Sequence, residues 1–263
     1  MGVADWVTSG AIKTSRAEQL FKDFESAVDR LAKEGRYAIR EEPDHDPRKI
    51  KLVFAEVPPP APLSLGALAG DIIHNLRSSL DTLWLLSAFN AAFVESDRHS
   101  PSFPIRKTWD ELVDAIGRQK PCPAKAAVEL VLYLIDQDLW LEDLWPLAEA
   151  DNYHKHKLLS VVNHAIIELP VPPAGVPTFP KFGAAYVDGS KSKVIGPVKK
   201  DAVFATVDKG TDVNMYPQFV KEIAFVEPQV LARKPAASFL SDTIGVVSFV
   251  VKCFADAGLI KLH

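Results

Sequence analysis

A chain of 263 residues with 48% apolar and 24% charged content has the make-up of a globular protein, long enough for one large domain or two small ones. Its net charge of −4 excludes a broad basic surface that would grip nucleic acid by charge alone, while leaving room for a local basic patch. Cys122 and Cys253 stand far apart without metal-type spacing and read as reduced thiols, as in a cytoplasmic protein.

No basic region followed by an apolar core opens the chain, so no signal peptide is expected. The longest apolar run, Ile244–Val251, is far short of the ~20 residues of a membrane helix, and no membrane partner is expected. Ser15-Arg16-Ala17-Glu18 has the form of a capping box, in which hydroxyl and carboxylate satisfy the free amides at a helix start. Leu20, Phe21, Phe24, Val28 and Leu31 continue that helix until Gly35. Tyr37–Arg40 and Ile50–Val57 read as an N-terminal β-hairpin, turning through Pro43, Asp44, Asp46 and Pro47. Three prolines at 58–60 then lead to a long helix expected over about 65–93.

Thr108-Trp109-Asp110-Glu111 is a second capping box, opening a short helix to about Arg118. Ala124–Ile135 reads as an apolar helix with Val128, Leu132 and Ile135 on its inner face. Trp145-Pro146 suits the first turn of another, since proline there loses no hydrogen bond; Leu147, Ala150 and Leu158 fall on it. Beyond Val161 the period changes to that of strands, at 161–169, 184–187, 202–207 and 223–226. A last helix, rich in Val, Ile and Phe, spans Ser238–Phe254 and is either core or the face of a homodimer. Helices, then strands, then a helix predict an α+β fold in a single domain over 1–263. A helical bundle occupies about 11–35, 65–160 and 238–258, with the hairpin at 37–57 and an appended antiparallel sheet within 161–231.

The stretch Gly70–Trp84 carries the chemistry. At 100° per residue Ile72, Ile73, Leu76, Leu80, Leu83 and Trp84 share one arc, and Asp71, His74, Asn75, Arg77, Ser78, Asp81 and Thr82 share the other. That polar arc lacks the Lys and Glu of an ordinary solvated face. A second polar cluster runs from Asp151 to Lys157.

His74-Asn75-Leu76-Arg77-Ser78-x-Leu80-Asp81, Phe103-Pro104-Ile105 and Asn152-x-x-Lys155-His156-Lys157 together resemble an uncharacterised bacterial and phage family. The resemblance covers about residues 65–165 and implies that both polar clusters serve one site. The Arg-Ser-x-Leu-Asp stretch is also similar to the Arg-x4-His signature of HEPN domains, helical bundles that include metal-independent ribonucleases. Here the fifth residue after Arg77 is Thr82 rather than His, and the literal match Arg40–His45 falls in the hairpin turn.

Three readings follow for the paired clusters. In the first they bind RNA or a nucleotide, with His74 and His156 carrying protons, Arg77 and Lys155 holding phosphate oxygens, and Asp81 orienting an imidazole or the guanidinium. Asn75, Ser78, Asn152 and Lys157 then contribute to binding. In the second, Asp71-x-x-His74 and Asp151-x-x-His154 hold a metal, helped by a carboxylate such as Glu18, Glu25 or Glu129. In the third, the clusters are a structural network that satisfies buried polar groups, fixes helix register and leaves function to protein–protein contact. No Gly-x-Ser-x-Gly elbow and no phosphate-cradling Gly-rich loop is present, and no cofactor is called for.

Overall fold

The computed structural model describes residues 3–34, 37–89, 102–119, 123–135, 144–168, 192–195, 199–210 and 218–260. The fold is α+β, with six α-helices and two three-stranded antiparallel sheets among the described residues. The chain divides into two compact units. Unit 1 takes residues 1–25, 63–160 and 225–263, and unit 2 takes 26–62 and 161–224.

Unit 1 is built around helix α2, Leu63–Phe89. Its whole apolar arc is buried, with Ile72, Ile73, Leu76, Leu80 and Trp84 at 0% exposure and Leu83 at 4%. Each such side chain contributes about 1.5–3 kcal/mol when withdrawn from water, enough to fix the rotation of the helix and hence the direction its polar arc faces. Helix α1, Val3–Lys33, reaches α2 through a buried hydroxyl pair, Thr14 Oγ1 to Ser79 Oγ at 2.8 Å. Ser15–Glu18 therefore lies inside α1 and caps nothing, a correction to the expected start. No proline interrupts residues 3–14, and Gly10 costs only about 1 kcal/mol in a helix, so the helix continues upstream of the motif.

Helix α3, Trp109–Gly117, starts as its capping box predicts: Thr108 Oγ1 accepts the Glu111 N–H at 3.3 Å. Helix α4, Lys125–Ile135, buries Ala127, Val131 and Leu134. That face is turned by one position from the expected alignment of Val128, Leu132 and Ile135, of which Val128 and Leu132 are half-buried. Helix α5, Trp145–His154, has Pro146 in its first turn and ends at His154, so Leu158 lies outside it and is exposed.

Helix α6, Ala236–Asp256, is by length and composition able to cross a membrane, which the shorter run Ile244–Val251 did not suggest. It packs along α2, and its stripe of Ala236, Phe239, Leu240, Thr243, Val247, Val250 and Phe254 is buried in unit 1. The 3–4 residue spacing of that stripe is the pattern of a core helix with one wet side.

Unit 2 holds strand β1, Ala38–Pro43, paired antiparallel with β2, Lys49–Glu56, as the expected hairpin. Asp44 Oδ1 accepts the Asp46 N–H at 3.0 Å in its turn, and Tyr37 packs edge-on against Phe54 at 5.9 Å. The other edge of β2 takes strand β5, Val203–Asp208, closing the order β1-β2-β5 across some 150 residues of chain. Strands β3 (Ser160–Glu168), β4 (Ser192–Ile195) and β6 (Gln218–Glu227) form the second sheet in the order β4-β3-β6. The expected strand at 184–187 and Cys122 lie outside the described residues.

Candidate functional site

The polar arc of α2 faces α5, within unit 1. His74 Nδ1 meets Asp151 Oδ1 at 2.9 Å, and Asp71 Oδ1 stands 4.0 Å from His154 Nε2. Each carboxylate of one Asp-x-x-His motif thus takes the imidazole of the other. Residue 71 pairs with 154 and 74 with 151, so the helices run antiparallel across the cluster.

Two glycines permit this approach. A Cβ on Gly70 would lie 2.1 Å from His154 Cε1, and a Cβ on Gly66 would lie 2.0 Å from the Leu159 carbonyl oxygen. Gly70 thus meets the last residue of α5 and Gly66 the chain just beyond it, and the two glycines one turn apart are the readable signal of this close approach.

Asp151 is the centre of the cluster. Its side chain is 1% exposed, with Oδ1 on His74 and Oδ2 on Lys155 Nζ at 2.6 Å. A buried carboxylate needs such partners, because an unpaired one pays the full cost of leaving water. Toward an ionised carboxylate, which only accepts, Nδ1 of His74 is the donor, and in the neutral imidazole Nε2 is then the acceptor nitrogen. The His74 side chain is 52% exposed and Nε2 has no hydrogen-bond partner among the described residues. Lys155, at the end of α5, is 47% exposed and keeps two of its three N–H groups for other acceptors.

Arg77 and Asp81 form a second grouping one turn further along α2, joined at 2.9 Å. Arg77 Nη2 donates to the Phe103 carbonyl at 2.9 Å, and the Phe103 N–H donates to Asp81 Oδ1 at 2.9 Å. Both backbone polar groups of Phe103 are thereby gripped from α2. Burial lowers the Arg77 pKa from its ordinary value, while Asp81 and Asp151 work against that. Burial likewise raises the Asp81 carboxyl, opposed by the Arg77 guanidinium, the Phe103 N–H and Lys155. Arg106 adds to the lowering at Arg77, and Asp151 to the raising at Asp81. Arg77 Nη1 is buried without a hydrogen-bond partner among the described residues, as is His154 Nδ1.

The remaining candidates are dispersed. Asn75 Nδ2 turns back to the Asp71 carbonyl at 2.7 Å, and the Ser78 carbonyl accepts from Thr82 Oγ1 at 2.9 Å. Asn152 is exposed, and Lys157 Nζ lies 5.6 Å from the centre of the Tyr153 ring. His156 is exposed in the turn beyond α5, and its side chain makes no hydrogen bond to the cluster.

The metal reading of Asp71, His74, Asp151 and His154 is corrected by this arrangement. The four residues face one another as two separate pairs, and among the described residues no three His, Cys, Asp or Glu side chains converge as a metal ion requires. Glu129 is held by Lys125 at 3.5 Å. No protein-family model matches the chain, and comparison with curated proteins and with solved structures gives no match.

Proposed function

We propose that the His74–Asp151–Lys155 cluster binds the phosphate groups of RNA or of a nucleotide, with His74 placed to take a proton from the bound ligand. The observation that carries this reading is the buried Asp151 carboxylate, which orients a half-exposed imidazole with one oxygen and a half-exposed ammonium with the other. A proton acceptor beside a half-exposed cation is the minimum equipment for chemistry at a phosphodiester. The similarity of the Arg77–Asp81 stretch to HEPN ribonucleases points the same way, with His74 rather than a residue at position 82 as the proton carrier.

The structural-network reading has its own support for one pair. Arg77 and Asp81 are committed to the Phe103 peptide, so they brace the site instead of touching ligand. The test is a titration of single-stranded RNA and of mononucleotides at low salt against wild type, His74→Ala, Lys155→Met and Asp151→Asn. Loss of Lys155 is expected to weaken binding by about tenfold, on the order of 1.4 kcal/mol, and to flatten its salt dependence. Equal affinity across all four proteins, or none in wild type, rejects the reading.

A further inference from the structure

We propose that His74 Nε2 is a nucleophile toward phosphorus, so that His74 is a phosphohistidine site filled from a donor of the acyl-phosphate or phosphoramidate class. The inference shares the cluster with the phosphate-binding reading but does not depend on RNA as the ligand.

Four features of the geometry support it. Asp151 holds the proton on Nδ1, which leaves a lone pair on Nε2. That nitrogen is on a ring 52% exposed and has no partner among the described residues, so a tetrahedral phosphorus can approach along the lone pair. The amide of the adjacent Asn75 donates to the Asp71 carbonyl at 2.7 Å, so that donor is turned back onto its own helix. Lys155, bound to the far oxygen of the same carboxylate, is 47% exposed and has N–H groups left over for phosphoryl oxygens.

The transfer balances without a redox partner. The Nε2 lone pair forms the new N–P bond as the donor's bond to phosphorus breaks; from phosphoramidate the leaving group departs as ammonia. The imidazole gains a positive charge in that step and keeps its Nδ1 proton. Asp151 lies 2.9 Å away to neutralise that charge, and its burial at 1% exposure strengthens the interaction. This is the difference between His74 and an ordinary surface histidine such as His156, which has the same ring and no buried carboxylate behind it.

The experiment treats the full chain with phosphoramidate, follows intact mass, and locates the group by fragmentation and by its acid-labile, alkali-stable phosphorus resonance. One phosphoryl group on His74 is expected, absent in His74→Gln. Asp151→Asn, which lets the ring adopt the other tautomer, is expected to react slower by on the order of tenfold or more. Circular dichroism of each variant separates this from unfolding, and the rate at His45 and His156 in the same molecule is an internal standard insensitive to the cluster. Labelling of His45 or His156 as fast as His74, or equal rates in wild type and folded Asp151→Asn, overturns the proposal. Phosphate-ligand affinity measured on the same preparations distinguishes the two readings: binding retained without labelling sinks the nucleophile alone.

Discussion

At the scale of single residues, the site depends on an absence of side chains as much as on their presence. Gly70 gives up its Cβ so that the His154 ring can lie against the α2 backbone, and a methyl group there would sit 2.1 Å from that ring. His154 is not at the far end of a long flexible chain, so it has to rotate away or push the helices apart. Gly70→Ala is therefore expected to destabilise the protein by about 1–3 kcal/mol, although alanine is the better helix former. Thermal denaturation checks this, and an unchanged or raised midpoint refutes the close crossing. Tyr37 offers an independent reading in unit 2. Burial pushes its phenol up to about 12, well above the usual value of 10.0. The folded state holds that proton longer than the unfolded chain does. Its contribution to stability is thus complete below pH 10 and declines as the pH rises toward 12. A spectroscopic tyrosinate titration is expected to show a late step near 12 that Tyr37→Phe removes; loss of amplitude near 10.0 instead would place Tyr37 in water.

Among elements, the informative one is the extended segment Ser102–Lys107, which has no regular secondary structure and still has a fixed place. Its peptide at Phe103 is clamped by Arg77 and Asp81, and the Phe103 ring is fully buried, 5.8 Å from Trp84 and 6.2 Å from Phe254. Arg77→Met takes the charged donor from the Phe103 carbonyl, which keeps the Ile105 N–H at 3.0 Å, and Asp81→Leu removes the acceptor of the Phe103 N–H; each also strips the other side chain of its ion-pair partner. Each is expected to cost about 1–3 kcal/mol, and the double variant less than the sum, since the two side chains are paired with each other and hold the same residue. Hydrogen exchange at the Phe103 amide is the direct measure; full additivity would mean that the two side chains work separately. This segment also marks the limit of sequence reading. The rotation of α2 was legible because its apolar arc has helical period, and all six arc residues are buried. Phe103-Pro104-Ile105 was legible as a motif but not as a partner of Arg77, because nothing in a linear pattern says which backbone a guanidinium will bind. The repeated Asp-x-x-His was visible too. Its reciprocal pairing follows only once two helices are known to cross antiparallel, and that crossing was written in Gly66 and Gly70.

For the molecule as a whole, the order of contacts differs from the order of the chain. Unit 1 is closed by α6, which returns after all of unit 2 has been traversed and lies along α2. Strand β5 likewise reaches β2 from far downstream, a pairing that no local signal announces. Contacts of such long separation are entropically costly to form and tend to be made late in folding. Unit 1 can then be complete only when its last helix is in place. Two residues of α6, two positions apart, test whether that helix is a core element or an apolar helix free to seek another surface. Val247 is 0% exposed and Phe249 is 45% exposed. Val247→Asp puts an unpaired carboxylate into the core, beyond what a stability margin of about 5–15 kcal/mol comfortably absorbs, and is expected to abolish cooperative unfolding. Phe249→Ser is expected to change stability by no more than about 0.5 kcal/mol, as for other surface positions. Denaturant unfolding of both variants decides the matter. If Phe249→Ser unfolds the protein while Val247→Asp leaves it intact, α6 is turned the other way and the core of unit 1 has been misplaced.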